Sequence, residues 1–227
     1  MLASLVIAVL FSTIYILFFA VAGMCISIFI KTDIVEFQKP HKTRFLILVP
    51  AHNESEYLRP TIRSIFALDY PCMQFDIVVI ADNCTDNTAF IAIQEGCEVW
   101  ERNNLDLRGK GHALEWAFEI ARKLFYDAIV VIDADTTASA NLLQTFDREI
   151  HTGSLVIQSL YQFAFPADTS RWFSLISQAS KRSEDCFISR PRSQFGLYQG
   201  LQGNGFCLHR SVLENIPWTA SSIPACR

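Results

Sequence analysis

Val130–Thr136 reads VVIDADT, an apolar run that stops on two carboxylates separated by one alanine. A continuous apolar run of this kind is typical of a strand covered on both faces of a sheet. Side chains two positions apart at a strand end point to the same side, so Asp133 and Asp135 can converge. Because two nearby carboxylates resist ionising together, the pair indicates either a bound cation or a solvated turn in which an aspartate caps the next helix.

On both sides of this stretch, short apolar runs alternate with helical patterns. The predicted strands are Phe45–Pro50, Phe75–Ala81, Cys97–Glu101, Tyr126–Asp133 and Leu155–Phe165. The predicted helices are Tyr57–Ala67, Asp86–Glu95, Gly109–Leu124, Asn141–His151 and Arg171–Ser189, and a glycine-rich loop is predicted over Gly196–Gly205. This alternation is typical of βαβ units and predicts an α/β fold with a mainly parallel sheet and flanking helices. In such sheets, ligands bind at the carboxyl ends of the strands.

The first 30 residues contain no charged side chain. This stretch is longer than the roughly 20 apolar residues that cross a bilayer, and it lacks the basic start of a cleaved signal peptide. We therefore expect a transmembrane helix over 1–30, a juxtamembrane linker over 31–43 and a catalytic domain over 44–227. The nearest basic residues all follow the apolar stretch: Lys31, Lys39, Lys42 and Arg44. The positive-inside rule then predicts an inner or plasma membrane protein whose domain is cytoplasmic.

Composition and motifs argue against several classes of function. The formal net charge of −4 provides no basic field, so no nucleic-acid partner is predicted. The seven cysteines contain no CxxC pair, which favours reduced, mostly buried thiols over a zinc site or a disulfide framework. Gly109-Lys-Gly111 is followed by Leu114 where a dinucleotide fingerprint has its third glycine, and no GxxxxGK[ST] sequence occurs. Nicotinamide dehydrogenases and P-loop nucleotide hydrolases are therefore disfavoured.

Four short motifs follow a predicted strand or begin the next helix. They are Pro50–Glu54 (PAHNE), Ala81–Asp86 (ADNCTD), Arg108–His112 (RGKGH) and Asp133–Asp135 (DAD). Each alone is weak evidence, because Asp and Asn after a strand are common turn formers and helix caps. Gathered at one edge of a sheet, they predict a ligand site. Lys110 could meet a phosphate at the start of its helix, and the aspartate oxygens suit Mg²⁺ or Mn²⁺.

The segments VPAHNES, ADNCTDNTA, RGKGHALEWAF and VVIDADT, in this order, resemble those of the inverting glycosyltransferases of family two, which have the GT-A fold. The similarity continues through GLQGNGFCLHRSVLENIPW and covers roughly residues 45–218. Membrane-anchored members include synthases of cellulose, hyaluronan and poly-N-acetylglucosamine. The resemblance implies a nucleotide-diphosphate sugar donor, usually a UDP-sugar, a divalent cation, and an acceptor hydroxyl on a glycan, a lipid or another molecule.

The resemblance also implies roles for individual residues. It implies a nucleotide-sugar site that contains Pro50, Ala51, His52, Glu54, Asp82, Lys110 and Asp133. In it, His52 and Glu54 would line the nucleoside pocket, and Asp82 would contact the base. Lys110 would lie near the donor phosphates, Asp133 near the ribose or the metal, and Asp135 on the metal.

The sequence departs from the family pattern after NIPWTASS. In the family, the general base is an aspartate that usually belongs to an acidic pair in this region, but here no acidic residue follows Glu214 or occurs in Ile223–Arg227. Glu184-Asp185 precedes the glycine-rich loop, and Arg171-Trp172 lacks the glutamine of the QxxRW motif of processive synthases. We expect a domain that is incomplete at its C-terminus, with no residue assigned as the base. A catalytically impaired nucleotide-sugar-binding domain is therefore the alternative function.

Overall fold

The structure is a computed structural model of the 227-residue chain. It describes residues 10–19, 43–163, 170–185, 189, 192 and 200–219. The chain divides into two compact units. One comprises Met1–Glu36 and Leu160–Gly200, and the other comprises Phe37–Ser159 and Leu201–Arg227. All six strands of the sheet belong to the second unit.

Helices and strands alternate along most of the described chain. In chain order, they are α1 (residues 10–19), β1 (Phe45–Ala51), α2 (Leu58–Phe66), a 3₁₀ turn (Cys72–Gln74), β2 (Phe75–Asp82), α3 (Thr88–Gln94), β3 (Glu98–Arg102), α4 (Lys110–Ala121), β4 (Ala128–Val131), α5 (Leu142–His151), β5 (Val156–Gln158), α6 (Arg171–Glu184), β6 (Phe206–His209) and α7 (Arg210–Asn215). The α/β class with helices flanking the sheet, expected from the sequence, is thereby confirmed.

The sheet has six strands in the order β3-β2-β1-β4-β6-β5. Strand β1 is parallel to both β2 and β4, and β2 is parallel to β3. Strand β6 is antiparallel to β4 and to β5. The sheet is therefore parallel over β3-β2-β1-β4 and antiparallel beyond it. The carboxyl ends of the four parallel strands consequently meet at one edge, together with the beginning of β6.

Strand β1 is the centre of the core, because each residue from Phe45 to Val49 is completely buried. Alternate side chains of a strand point to opposite faces. Phe45, Ile47 and Val49 pack with residues of α2, α3 and α5, whereas Leu46 and Leu48 pack with residues of α4 and α7. Full burial of one such side chain contributes about 1.5–3 kcal/mol to folding. Two covered faces explain why FLILV is apolar without alternation.

Two segments of the sheet differ from the sequence prediction. The strand predicted over Leu155–Phe165 is described only as β5, Val156–Gln158, and residues 164–169 lie outside the described ranges. No element is predicted for Phe206–His209, yet this segment forms β6 between β4 and β5. The sheet is parallel over four of its six strands, as expected, but the sequence did not predict that β6 is antiparallel to β4 and to β5.

The transmembrane helix predicted over 1–30 is not shown by the structure. Within that stretch, residues 10–19 form α1, and the other residues lie outside the described ranges. Among the helices that the structure does describe, none combines the length and the hydropathy needed to cross a bilayer. The linker predicted over 31–43 lies outside the description except for Thr43, which is buried.

Candidate active site

The loops that follow β1 and β2 are joined to each other along their length. The ring Nδ1 of His52 lies 2.7 Å from the carbonyl oxygen of Asp82, so this nitrogen carries a proton and donates it. Asn53 has a positive φ of 56° and accepts a 2.7 Å hydrogen bond from the Thr85 N–H. Asparagine tolerates this left-handed conformation better than most residues. The PAHNE and ADNCTD motifs therefore form one side of the site.

Asp86 strengthens this connection between the two loops. Its carboxylate accepts hydrogen bonds from the N–H of Ser55 at 3.1 Å and from the N–H and hydroxyl of Thr88 at 3.0 and 2.5 Å. Burial alone would raise the pKa of Asp86, but the hydrogen bonds from Thr88 and Ser55 outweigh it and lower the pKa to about 2. The ionised carboxylate is thus part of the loop structure.

Asp82 and Arg102, the last residues of β2 and β3, form a buried ion pair. Arg102 Nη1 donates to Asp82 Oδ1 at 2.5 Å, and both residues are about 5–6% exposed. Asn83 Nδ2 donates to the same carboxylate oxygen at 3.0 Å, and Arg102 Nη2 donates to the Leu107 carbonyl at 2.7 Å. Asp82 is therefore held by protein groups on one carboxylate oxygen, and its contact with a nucleobase stays a prediction.

Lys110, the first residue of α4, contacts both the DAD turn and the glycine-rich loop before β6. Its ammonium group donates to Asp133 Oδ1 and to the carbonyl oxygen of Gly203. Lys110 and Asp133 are each about one-third exposed, so the pair lies at the surface of the site. Asp133 and Gly203 are its acceptors among the described residues, which leaves one of its three N–H groups for a further acceptor.

Asn204 holds the DAD turn from the other side. Its Oδ1 accepts from the Asp133 N–H at 3.0 Å, and its Nδ2 donates to the Thr136 hydroxyl at 2.8 Å. The next residue, Gly205, has a positive φ of 65°, and a Cβ at this position would overlap the Ser159 hydroxyl. The positive φ makes glycine the favoured residue there, and its N–H donates to the Val131 carbonyl at 2.9 Å.

Glu54 lies near carboxylates from two other segments of the chain. Burial raises the pKa of Glu54 above its usual range. The negative charges of Asp135, Asp86 and Asp133 raise it further, and His52 opposes the increase. A group of mutually repelling carboxylates is stabilised by a cation, and Lys110 supplies one positive charge.

The residues present fit a hard divalent cation that shares its coordination with a substrate. Among the described residues, no group of three or more His, Cys, Asp or Glu side chains is gathered for metal binding. The DAD turn contains two carboxylates, Asp133 and the exposed Asp135. Magnesium-type sites commonly use one or two carboxylates, with waters and substrate phosphates as the other ligands.

The structure thus brings Lys110 into contact with Asp133 and brings Glu54 into the electrostatic field of Asp133 and Asp135. Pro50 and Ala51 end β1. The main residues that were not predicted are Arg102 and Asn204. The signal for Asn204 was its place between two glycines, in GNG, within a loop that was predicted only as glycine-rich.

A family model described as "Glycosyl transferase family 2" matches residues 46–216, which is more than half of the chain. The matched range contains the four motifs and the loop around Asn204. The family resemblance expected from the sequence is confirmed.

Curated relatives are similar to parts of the chain. The beta-monoglucosyldiacylglycerol synthase of Nostoc sp. is 26% identical over 178 residues, which cover 74% of this chain and 36% of that protein. The hyaluronan synthase of Streptococcus pyogenes is 30% identical over 49% of this chain and 28% of its own length. The poly-beta-1,6-N-acetyl-D-glucosamine synthase of Staphylococcus epidermidis is 36% identical over 39% of this chain and 21% of its own length. The chain thus spans about a third or less of these relatives.

Solved structures share the fold. The mannosyltransferase PcManGT from Pyrobaculum calidifontis, crystallised with GDP-Man and Mn²⁺, has a TM-score of 0.57 and 19% identity over 88% of this chain and 53% of that chain. S. aureus TarS has a TM-score of 0.53 and 16% identity over 76% of this chain and 48% of that chain. These likenesses concern the arrangement of helices and strands.

Proposed function

Because the chain belongs to glycosyl transferase family 2, we propose that it binds a nucleotide-diphosphate sugar at the edge of its sheet and takes part in transfer of the sugar to an acceptor hydroxyl. The observation that carries this proposal is the contact of Lys110 with both Asp133 and Gly203 beside the DAD turn. It joins the lysine that we propose to bind phosphate to Asp133, one of the two carboxylates of the proposed metal site. The proposed donor is a UDP-sugar, and residues 44–227 are the proposed GT-A domain.

In the proposed complex, the nucleoside pocket is lined by Pro50, Ala51, His52 and Glu54. Asp82 faces the base. Lys110 binds the diphosphate, and its pairing with Asp133 orients the ammonium group before the donor arrives. Asp133 and Asp135 would hold Mg²⁺ or Mn²⁺. When bound, the cation supplies positive charge that stabilises the departing diphosphate. Lys110 adds a second positive charge at the same leaving group.

The reaction is a single displacement with inversion. The acceptor oxygen forms a bond to the anomeric carbon while the bond from that carbon to the diphosphate oxygen breaks. The acceptor proton passes to a general base. We assign this base to none of the described residues. The sequence predicts that the base aspartate of the family is missing after Ile223, and residues 220–227 lie outside the described ranges.

We also propose that the protein is held at a membrane by residues 1–30, with the sheet-containing unit on the cytoplasmic side. The support is the absence of charged residues in that stretch and the four basic residues that follow it. A glycan or a lipid at the membrane is the proposed acceptor.

Calorimetry on the full chain in detergent tests the donor site. We expect UDP to bind in the presence of Mn²⁺ and to bind more weakly without it. GDP is titrated separately as the comparison nucleotide. Asp135→Ala should abolish the metal-dependent part of the binding. The matched control is Glu119→Ala, which removes an exposed carboxylate of α4 that pairs with Arg122. Binding that is independent of Mn²⁺ and equal in both variants would contradict the proposed site.

Sugar transfer is a separate measurement. Labelled UDP-sugars are supplied to the full chain in membranes, and the label is followed into glycan or lipid. Transfer supports the enzyme, whereas metal-dependent UDP binding without transfer supports the alternative of a nucleotide-sugar-binding domain.

A further inference from the structure

Helix α6 has its polar side inside and its apolar side outside. Its more buried positions recur at helical spacing and are all polar or charged: Ser174, Ser177, Lys181 and Asp185, the last just past the helix end. The opposite side is apolar over the first part of the helix, at Trp172, Leu175, Ile176 and Ala179, and is continued by Ser183. In an amphipathic helix of a water-exposed domain, the apolar stripe faces the core. The arrangement in α6 is the reverse.

The inner side of α6 has a defined polar environment. Lys181 is 7% exposed, and its Nζ lies 3.2 Å from Asp185 Oδ1 and 3.5 Å from Glu184 Oε2. The same ammonium group lies 4.6 Å from the centre of the Tyr161 ring. Both carboxylates belong to α6 or to the residue just after it, and they offset the cost of burying the ammonium group. The Tyr161 ring is a contact from outside the helix. A cavity of about 220 Å³ adjoins this side and is lined in part by Tyr161, Lys181 and Asp185.

The outer side is strongly exposed. Trp172, Leu175 and Ile176 are 76%, 50% and 65% exposed, respectively. Two exposed arginines border this side. Arg171 and Arg182 lie about three helical turns apart and therefore fall on the same stripe, next to Leu175. An apolar stripe with a tryptophan, bordered by basic residues, is typical of a helix that lies in a membrane interface.

Helix α1, in the same compact unit, is also exposed and apolar. Its large side chains are each 54–70% exposed: Leu10, Phe11, Ile14, Tyr15, Ile16, Leu17, Phe18 and Phe19. The local charge also favours an acidic surface, because residues 170–192 contain five basic and two acidic residues in a chain whose net charge is −4. Anionic lipid headgroups attract basic residues of this kind near a bilayer.

We propose that the outer side of α6 lies in the interface of an anionic lipid bilayer, with Trp172, Leu175 and Ile176 inserted and Arg171 and Arg182 at the headgroups. The inference rests on the proposed membrane attachment of residues 1–30, and adds a second membrane contact much later in the chain. The polar inner side of α6 then faces away from the lipid, toward the rest of its own unit.

Quenching of tryptophan emission by brominated lipid tests this contact. The full chain is reconstituted in vesicles of phosphatidylcholine, part of it brominated, with phosphatidylglycerol as the anionic lipid. The chain has four tryptophans, so each can be removed in turn. Trp172→Phe should abolish most of the quenched emission. The matched control is Trp116→Phe in α4, a partly buried residue packed against the core of the sheet unit, and it should leave the quenching intact.

Two further variants test the chemistry of the contact. Replacement of both Leu175 and Ile176 by Gln should reduce quenching of Trp172, and replacement of both Arg171 and Arg182 by Gln should remove its dependence on phosphatidylglycerol. Equal quenching in the Trp172→Phe variant and the wild type would overturn the proposal. So would an unquenched Trp172 together with self-association that Ile176→Gln abolishes, because the side would then bind a second copy.

The tests separate this inference from the proposals on which it rests. Flotation of the full chain with vesicles reports the attachment through residues 1–30. Calorimetry with UDP and Mn²⁺ reports the donor site. A chain that floats and binds UDP but shows no quenching of Trp172 would overturn the role of α6 alone.

Discussion

Asn204 joins two turns with a single side chain, and neither of its contacts is local. Its amide binds the Asp133 N–H and the Thr136 hydroxyl, 71 and 68 positions earlier in the chain. The DAD turn is therefore held by a residue of the loop that precedes β6, the strand next to β4. The position of Asp135 depends on this bond, since Asp135 lies between the two residues that Asn204 contacts.

Asn204→Ala should lower both stability and donor binding. The substitution leaves the Asp133 N–H and the Thr136 hydroxyl without this partner. Because both groups are only partly buried, the two losses together cost about 1–3 kcal/mol. We expect the free energy of unfolding of the full chain to fall by about 1–3 kcal/mol in urea titrations. Metal-dependent UDP affinity should fall about tenfold if the turn contributes about 1.4 kcal/mol to binding.

The control is Asn215→Ala at the end of α7, where the exposed amide donates to the Ser211 carbonyl. This substitution should change stability by less than about 0.5 kcal/mol and leave UDP binding unchanged. If Asn204→Ala behaves like Asn215→Ala, Asn204 has no role in positioning the turn.

The individual site residues differ in how far the sequence could predict them. Asp133, Asp135 and Lys110 belong to short motifs whose chemistry is visible locally, as carboxylates at a strand end and a lysine at a helix start. The importance of Asn204 and Arg102 arises from partners far away in the chain. No periodicity or local spacing encodes such a pairing, and the GNG sequence marks the position of Asn204 without identifying its partners.

At the level of elements, the ends of β2 and β3 are joined by the buried pair of Asp82 and Arg102. Arg102→Met removes the cation and leaves the Asp82 carboxylate buried without its ionic partner. Such a change typically costs about 3–5 kcal/mol. We expect a loss of stability of this size in chemical unfolding.

The double variant Asp82→Asn, Arg102→Met distinguishes the charge from the shape. It has no buried charge at this position, so it should recover a large part of the lost stability. An equal loss in the single and double variants would instead assign the cost to the bond from Arg102 to the Leu107 carbonyl.

The loop between β2 and α3 should respond to acid through Asp86. Its folded-state pKa of about 2 lies below the ordinary value of 3.8, so its contribution to stability is fully present above about pH 4. This contribution is lost as the pH falls toward 2, because protonation of Asp86 weakens the bonds from Ser55 and Thr88. Asp86→Asn should cost about 0.5–1 kcal/mol at neutral pH, a modest value because the carboxylate is exposed.

The measurement is the free energy of unfolding as a function of pH. In Asp86→Asn, stability should fall less steeply than in the wild type between pH 4 and 2. Asp106→Asn, at an exposed position in the loop before α4, should keep the wild-type slope. Identical slopes in the wild type and Asp86→Asn would show that Asp86 does not titrate with folding.

The sequence predicts the central strands and helices well but predicts the antiparallel side of the sheet poorly. β1 and β2 are long and buried on both faces, so FLILV and IVVIA are continuous apolar runs. β5 has only three residues, and β6 follows directly after a glycine-rich loop. Such short strands are stabilised by their neighbours more than by their own residues, and a single sequence contains little information about those neighbours.

For the molecule as a whole, ligand and metal should act together on stability. A ligand that binds only the folded state stabilises it by about 2.7 kcal/mol at 100 times its dissociation constant. We expect UDP with Mn²⁺ to raise the unfolding midpoint of the full chain, and EDTA to abolish most of this increase. Asp135→Ala should unfold at the same midpoint with or without the two ligands. A UDP effect that survives EDTA would contradict the shared metal and phosphate site.

The direction of β6 has a consequence for synthesis of the chain. Because β6 is antiparallel to β4, its beginning lies at the edge of the sheet where we propose that the sugar donor binds, here called the donor edge. The Gly203 carbonyl accepts from Lys110 there, although the two residues are 93 positions apart. β1, β2 and β4 can pair as soon as residue 131 has left the ribosome, but the contacts of Lys110 and Asp133 with Gly203 and Asn204 must wait for some 70 more residues. At about 5–20 residues per second, this leaves several seconds in which a nascent chain has its parallel strands but an unfinished donor edge.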